Sequence, residues 1–214
     1  MSLYDEVRIL AQNKRDLYGV KTDTLNLNVL RKIYREEGIK IDHWKFGWTI
    51  RAVYMCDDGE PSVAVNKSLP REPKLFSLVH ELKHHYLDRN LIENGTIKCG
   101  DYNANELIEK TAEVFAAEFI YPEAEFLSLV DSFQIQKGKC TKEQVVDLKR
   151  ASSACISYQF LQKRLIRLGF APAAGFEKVQ FTKLEEEMYG TPIYKKQWFR
   201  AKRAYGNGTG RSHR

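Results

Sequence analysis

The chain has 214 residues and is 43% hydrophobic, 29% charged and 12% aromatic, which suits one globular domain of ordinary size, or a domain with a small appendage, and excludes a disordered chain. No apolar run approaches the ~18 to 20 residues that cross a bilayer, and the start, MSLYDEVRILAQNKRDLYG, carries charges in every turn where a signal peptide needs an apolar core. A cytoplasmic protein with no membrane partner is expected. Net charge is +6, from 34 Lys and Arg against 28 Asp and Glu. The excess belongs to one end. Between Tyr194 and Arg214 stand Lys195, Lys196, Arg200, Lys202, Arg203, Arg211 and Arg214 with no acidic residue, so the remainder carries 27 basic against 28 acidic groups. Cys56, Cys99, Cys140 and Cys155 show no Cys-x-x-Cys spacing, so reduced packing thiols are expected, not a disulfide framework or a cysteine zinc knuckle.

In chain order, Asp23 can cap a helix of about four turns whose apolar residues Leu25, Leu27, Val29, Leu30, Ile33 and Tyr34 precede a stop at Gly38. From Ile39 to Val65 the composition turns to strand type, and Asp57-Asp58-Gly59 between two such runs signals a hairpin. Pro61 cannot donate to a ladder, which favours an edge strand for the second run. Helical spacing returns from about Glu72 to Leu87, from about Ala104 to Ile120 before Tyr121-Pro122, and from Thr141 to Leu168 before Gly169. The stretch after Gly169 reads as an Ala/Pro/Gly linker, and Gly206 to Gly210 as a flexible end. The expected architecture is α+β: a small antiparallel sheet packed on helices in residues 1–125, a helical, helix-turn-helix-like segment in 126–170, and a linker with a basic tail in 171–214.

The most informative segment is Val79-His80-Glu81-Leu82-Lys83-His84-His85, which holds three of the five histidines. Residues four apart on a helix stand one above the other, so His80 and His84 can offer two imidazole nitrogens to one metal ion. Glu81, about 100° round the helix, stands beside such an ion without entering its coordination shell. Leu75, Leu78, Val79, Leu82 and Tyr86 form the opposite, anchoring stripe.

Two imidazoles hold zinc weakly, and a carboxylate on a second helix is a common third ligand. Glu109 and Glu113 are four apart on the helix 106–120, with the small Ala112 and Ala116 beside them, where another backbone can approach. Burying that carboxylate pair costs free energy unless a cation or hydrogen-bond donors meet it.

His80-Glu81-Leu82-Lys83-His84, the preceding Leu75-Phe76-Ser77-Leu78-Val79, the run Glu109-Lys110-Thr111-Ala112-Glu113-Val114-Phe115-Ala116-Ala117-Glu118-Phe119-Ile120-Tyr121-Pro122, and the later Ile156 to Gly169 together resemble the ImmA/IrrE family of zinc metallopeptidases. The resemblance runs from about residue 25 to 170 and leaves the last 45 residues uncovered. It implies a gluzincin-like centre, with one Zn2+ held by His80, His84 and Glu109 and with Glu81 as catalytic base. Two positions depart from the family pattern. Glu113 stands where Asn or Asp is usual, which makes it either a partner of a ligand histidine or an alternative ligand, and Lys83 replaces a small residue.

Three protein ligands leave a fourth position where a water becomes acidic enough for Glu81 to deprotonate as it attacks a peptide carbonyl. Tyr102, Tyr121 and His85 are candidate donors to the developing oxyanion. An extended peptide could add to the run Ser62 to Asn66 if that strand is an edge. The resemblance implies a helix-turn-helix repressor, from a mobile element or a stress response, as substrate. The main alternative is a regulator without catalysis that binds a repressor or DNA on a peptidase-like scaffold. Tyr194, Trp198, Phe199 and Tyr205 interleave with the basic tail residues, a mixture suited to nucleic acid or an acidic partner.

Overall fold

Capping motifs and one tight turn fix where the first elements begin and end. The computed structural model describes residues 1–47, 49–97, 105–172, 174, 176 and 178–190. Helix α1 (Leu3–Leu17) starts at Ser2, whose hydroxyl accepts the Asp5 N–H while the Asp5 carboxylate accepts the Ser2 N–H. Its buried stripe, Val7, Ala11 and Arg15, is spaced four apart, and the charges on its other faces hide that period in the sequence. Helix α2 (Leu27–Glu36) is capped by Asn26 and not by the expected Asp23. Residues 21–25 form a turn of their own, with the Leu25 N–H on the Lys21 carbonyl at 3.0 Å. Gly38 ends α2 at φ +70°, and Ile39 N–H reaches back to the Tyr34 carbonyl at 2.8 Å.

The sheet has strands β1 (Lys40–Trp44), β2 (Ala52–Asp57) and β3 (Glu60–Asn66) in the order β1-β3-β2. The β2–β3 hairpin is antiparallel, with Asp57 opposite Glu60, and Asp58 (φ +48°) with Gly59 (φ +77°) makes the two-residue turn. β1 joins the other side of β3 in parallel, from Lys40 opposite Ser62 to Trp44 opposite Asn66, so the sheet is mixed. β3 is therefore the central strand and not an edge. Pro61 is tolerated because it precedes Ser62, where pairing with β1 begins, and lies opposite Cys56 at a position that exchanges no bonds with β2. The unbroken buried run Val63-Ala64-Val65-Asn66 is that of a strand covered on both faces.

Helix α3 (Arg71–Lys83) continues through a π-helical turn (His84–Asp88) into α4 (Arg89–Glu93), and α5 (Glu106–Ile120) is followed after Tyr121-Pro122 by α6 (Glu123–Ser132). The chain forms two units, Met1–Leu129 with Ser153–Ser157, and Val130–Ser152 with Tyr158–Arg214. In the first, α1 and α3 both pack on α5, and Leu30, Val63, Val65, Leu75, Val79, Leu82, Phe115 and Phe119 are fully buried. In the second, α7 (Lys142–Ala151) begins with a Thr141–Gln144 capping box, and α8 (Tyr158–Arg167) ends at Gly169 (φ +74°). Residues 152–157 connect them, longer than the three or four residues of a DNA-binding helix-turn-helix. The stretch expected as linker contains α9 (Phe181–Tyr189), which packs on α7. Phe181 stacks on Tyr158, and Glu185 accepts from the Tyr158 hydroxyl at 2.8 Å and from Arg150 at 3.2 Å. The acidic run Glu185-Glu186-Glu187 conceals this helix in the sequence. The basic tail from Tyr194 lies outside the described residues.

The hairpin turn gives a direct check. Gly59→Ala places a Cβ on a left-handed backbone and is expected to lower stability by about 1 kcal/mol, read as a lower midpoint in urea denaturation with an unchanged slope.

Candidate metal centre

The site is built where α3 and the π-turn face α5. Leu75, Leu78, Val79 and Leu82 anchor α3 at 2% exposure or less, and the Tyr34 hydroxyl donates to the Leu78 carbonyl at 2.6 Å. On α5 the fully buried Ala112 and Ala116 permit close helix packing. That brings Glu109, in the first turn of α5, to the histidines.

His80 Nε2 lies 3.0 Å from Glu109 Oε2 and 3.3 Å from His84 Nε2, and His84 Nε2 lies 3.8 Å from Glu109 Oε1. Ligand atoms 2.0 to 2.1 Å from a tetrahedral ion are separated by about 3.3 to 3.4 Å. The observed separations bracket that value, and the three side chains form a group that could hold a metal ion. His84 and Glu109 are buried, and His80 is 16% exposed at its side chain.

The surroundings orient these donors. His84 Nδ1 is 2.7 Å from Asp88 Oδ2, so the ring proton belongs on Nδ1 and the Nε2 lone pair faces the group. Glu81 is buried, and its Oε2 accepts the backbone N–H of Tyr54 on β2 at 2.9 Å. Burial alone would lower the pKa of His80. The hydrogen bond that His80 donates to Glu109 and the charges of Glu81, Glu109 and Glu113 outweigh it, and the pKa is raised above the ordinary imidazole value. Those carboxylates create a field that favours a cation.

Glu113 is half-buried and adds its negative charge to the field at His80, and Asp88 lies against the second nitrogen of His84. His85 turns to the other side, with Nδ1 3.1 Å from the Tyr54 hydroxyl and Nε2 3.6 Å from Glu37 Oε2. Burial holds its pKa down, aided by Arg89 and Lys14 and opposed by Glu37. Tyr121 caps the far end of α5 against Phe126, roughly 18 Å along the axis from Glu109. Neither His85 nor Tyr121 is placed as an oxyanion donor, and Tyr102 lies outside the described residues. Sequence reasoning passed over Asp88 and Tyr54. Asp88 had a signal in its four-residue spacing from His84; Tyr54, brought in by a backbone N–H, had none.

A His-Glu-x-x-His helix facing a carboxylate from a second helix defines a metallopeptidase-like centre. The chain belongs to the peptidase M78 family: residues 34–165 match its IrrE N-terminal-like domain. No curated protein matches it in sequence. Among solved structures, a Mycobacterium tuberculosis transcriptional regulator is similar at 16% identity with a TM-score of 0.51, over 75% of this chain and 46% of that one. This chain thus spans just under half the regulator's length, and the likeness is one of fold.

Substitution of the donors distinguishes their roles. Glu109→Ala is expected to abolish tight metal binding and Glu113→Ala to preserve it, while Asp88→Ala weakens binding about 10- to 100-fold, measured by competition against a chelating dye.

Proposed function

We propose that the protein is a zinc-dependent metalloendopeptidase of regulatory type, acting in the cytoplasm on a repressor-type DNA-binding protein. The observation that supports this reading best is the convergence of His80, His84 and Glu109 beside the buried carboxylate of Glu81. A site that served only to hold structure would have no need of that carboxylate.

The donor set fits a divalent ion, with His80 Nε2, His84 Nε2 and Glu109 as its holders. A zinc ion bound by three protein ligands supplies Lewis acidity and lowers the pKa of water toward ~7. Glu81 receives the proton of the attacking water and passes it to the leaving amine. Tyr54, through its N–H, fixes where that carboxylate stands. Asp88 holds His84 in the tautomer that leaves Nε2 unprotonated. With β3 central, an extended substrate segment would lie along β2, the outer strand on the side of Glu81.

The substrate class rests on the family resemblance. The structural neighbour's description as a transcriptional regulator fits a place in gene control and equally suits a non-catalytic binder on the same scaffold. Basic residues beyond Tyr194 would then meet nucleic acid or an acidic partner.

Glu81→Gln separates the two. The variant is expected to keep one zinc per chain and to cleave a co-expressed repressor, encoded beside the protein's own gene, at least ~100-fold more slowly, with fragments read by mass spectrometry. Relief of repression by Glu81→Gln at the wild-type level would overturn the enzymatic reading.

A further inference from the structure

Lys83 stands inside the metal-site sequence as a charge where a small residue was expected, and the structure buries it, at 2% exposure. A buried ammonium persists only where its charge and donors are met. Lys83 Nζ donates to Asp88 Oδ2 at 2.7 Å and to the Ile108 carbonyl at 3.2 Å. Each partner is one step from a candidate ligand. Asp88 Oδ2 is the same atom that meets His84 Nδ1 at 2.7 Å, and Ile108 immediately precedes Glu109 in α5.

Backbone geometry makes this contact available. In an α-helix, residues five apart are turned about 140° from each other, and Lys83 and Asp88 would face different directions. The π-turn over His84–Asp88 closes on the fifth residue. Asp88 therefore sits beneath both Lys83 and His84, so one carboxylate serves two neighbours. On the α5 side the Ile108 carbonyl also accepts the Thr111 hydroxyl at 2.7 Å, which fixes the first turn of α5, where Glu109 begins.

We propose that Lys83 is a positioning residue that ties the His84-bearing turn to the Glu109-bearing helix, holding the metal donors at ligand spacing before an ion arrives. The inference rests on the metal-site reading above and adds to it a residue that touches neither ion nor substrate. It also accounts for the charge balance: the ammonium offsets the buried Asp88 carboxylate, so that Asp88 can orient His84 without standing as an uncompensated charge.

A zinc titration of the full chain against a chelating dye tests this, together with the visible absorption of the Co2+-loaded protein, which is intense for a tetrahedral ion and weak for higher coordination. Lys83→Met is expected to weaken zinc binding at least about tenfold and to reduce the Co2+ absorption, while Lys83→Arg, which keeps the charge and several donors, recovers most of both. The double variant Lys83→Met with Asp88→Asn is expected to lose less than the product of the two single losses, since the residues act through one contact. Val7→Ala is the control. Val7 lines the same 370 Å3 cavity as Lys83 and Asp88, and its truncation is expected to lower thermal stability while leaving zinc affinity and the Co2+ spectrum at wild-type values. If Lys83→Met does not fold by circular dichroism, Lys83→Gln, which keeps a donor without the charge, takes its place with the same expectation. Wild-type zinc affinity in the neutral variant, or an equal loss in Val7→Ala, would overturn the role of Lys83 alone. A wild-type chain that binds no zinc would overturn the metal centre, and this inference with it.

Discussion

Close packing of α3 on α5 is the constraint from which the site follows. The histidines and the third donor sit on helices separated by more than twenty residues of chain, and neither helix can assemble the group alone. Ala112 and Ala116 of α5 are fully buried, and small side chains of this kind let neighbouring helices approach closely. Separations of 3.0 to 3.8 Å among the donors leave little slack for a shift of either helix. The leucine and valine stripe of α3 and the phenylalanines of α5 supply the burial that holds the helices together. The polar chemistry is thus positioned by apolar contacts on the opposite faces of the same helices.

Around the donors the structure arranges partners in which each polar group has a second use. Asp88 orients His84 and neutralises Lys83. Glu81 faces the metal group's field and accepts a strand N–H. His85, adjacent to a donor, is turned away to bind Tyr54 and Glu37. The result is a site where three carboxylates act on His80 while Glu81, Asp88 and Glu109 each meet a hydrogen-bond partner. Such pairing is what makes a cluster of acids tolerable inside a small unit.

Much of this was legible in the sequence, and the reasons differ by element. The His80–His84 spacing and the Glu109 face could be read because helical period alone fixes which residues share a side. Asp58-Gly59 could be read because a two-residue turn demands positive φ. β3 was misjudged because Pro61 is a strong local signal, whereas centrality depends on where β1 pairs, a non-local fact. The linker reading failed at α9 because its buried positions, Phe181 and Glu185, are few and one of them is charged. No periodicity rule anticipates the π-turn. Asp88 was hidden because its importance comes from meeting two residues at once.

The Tyr54–Glu81 bond has a consequence for the sheet as well as for chemistry. β2 is an outer strand, and an outer strand with open N–H groups invites pairing with other chains. Glu81 covers one of those groups, the buried Tyr54 N–H, with its own carboxylate, so the side chain read as the proton carrier also closes one bonding position on that strand. Any extended segment seated there must dislodge or share that bond. Strand docking and the poise of the carboxylate are consequently linked through one backbone group.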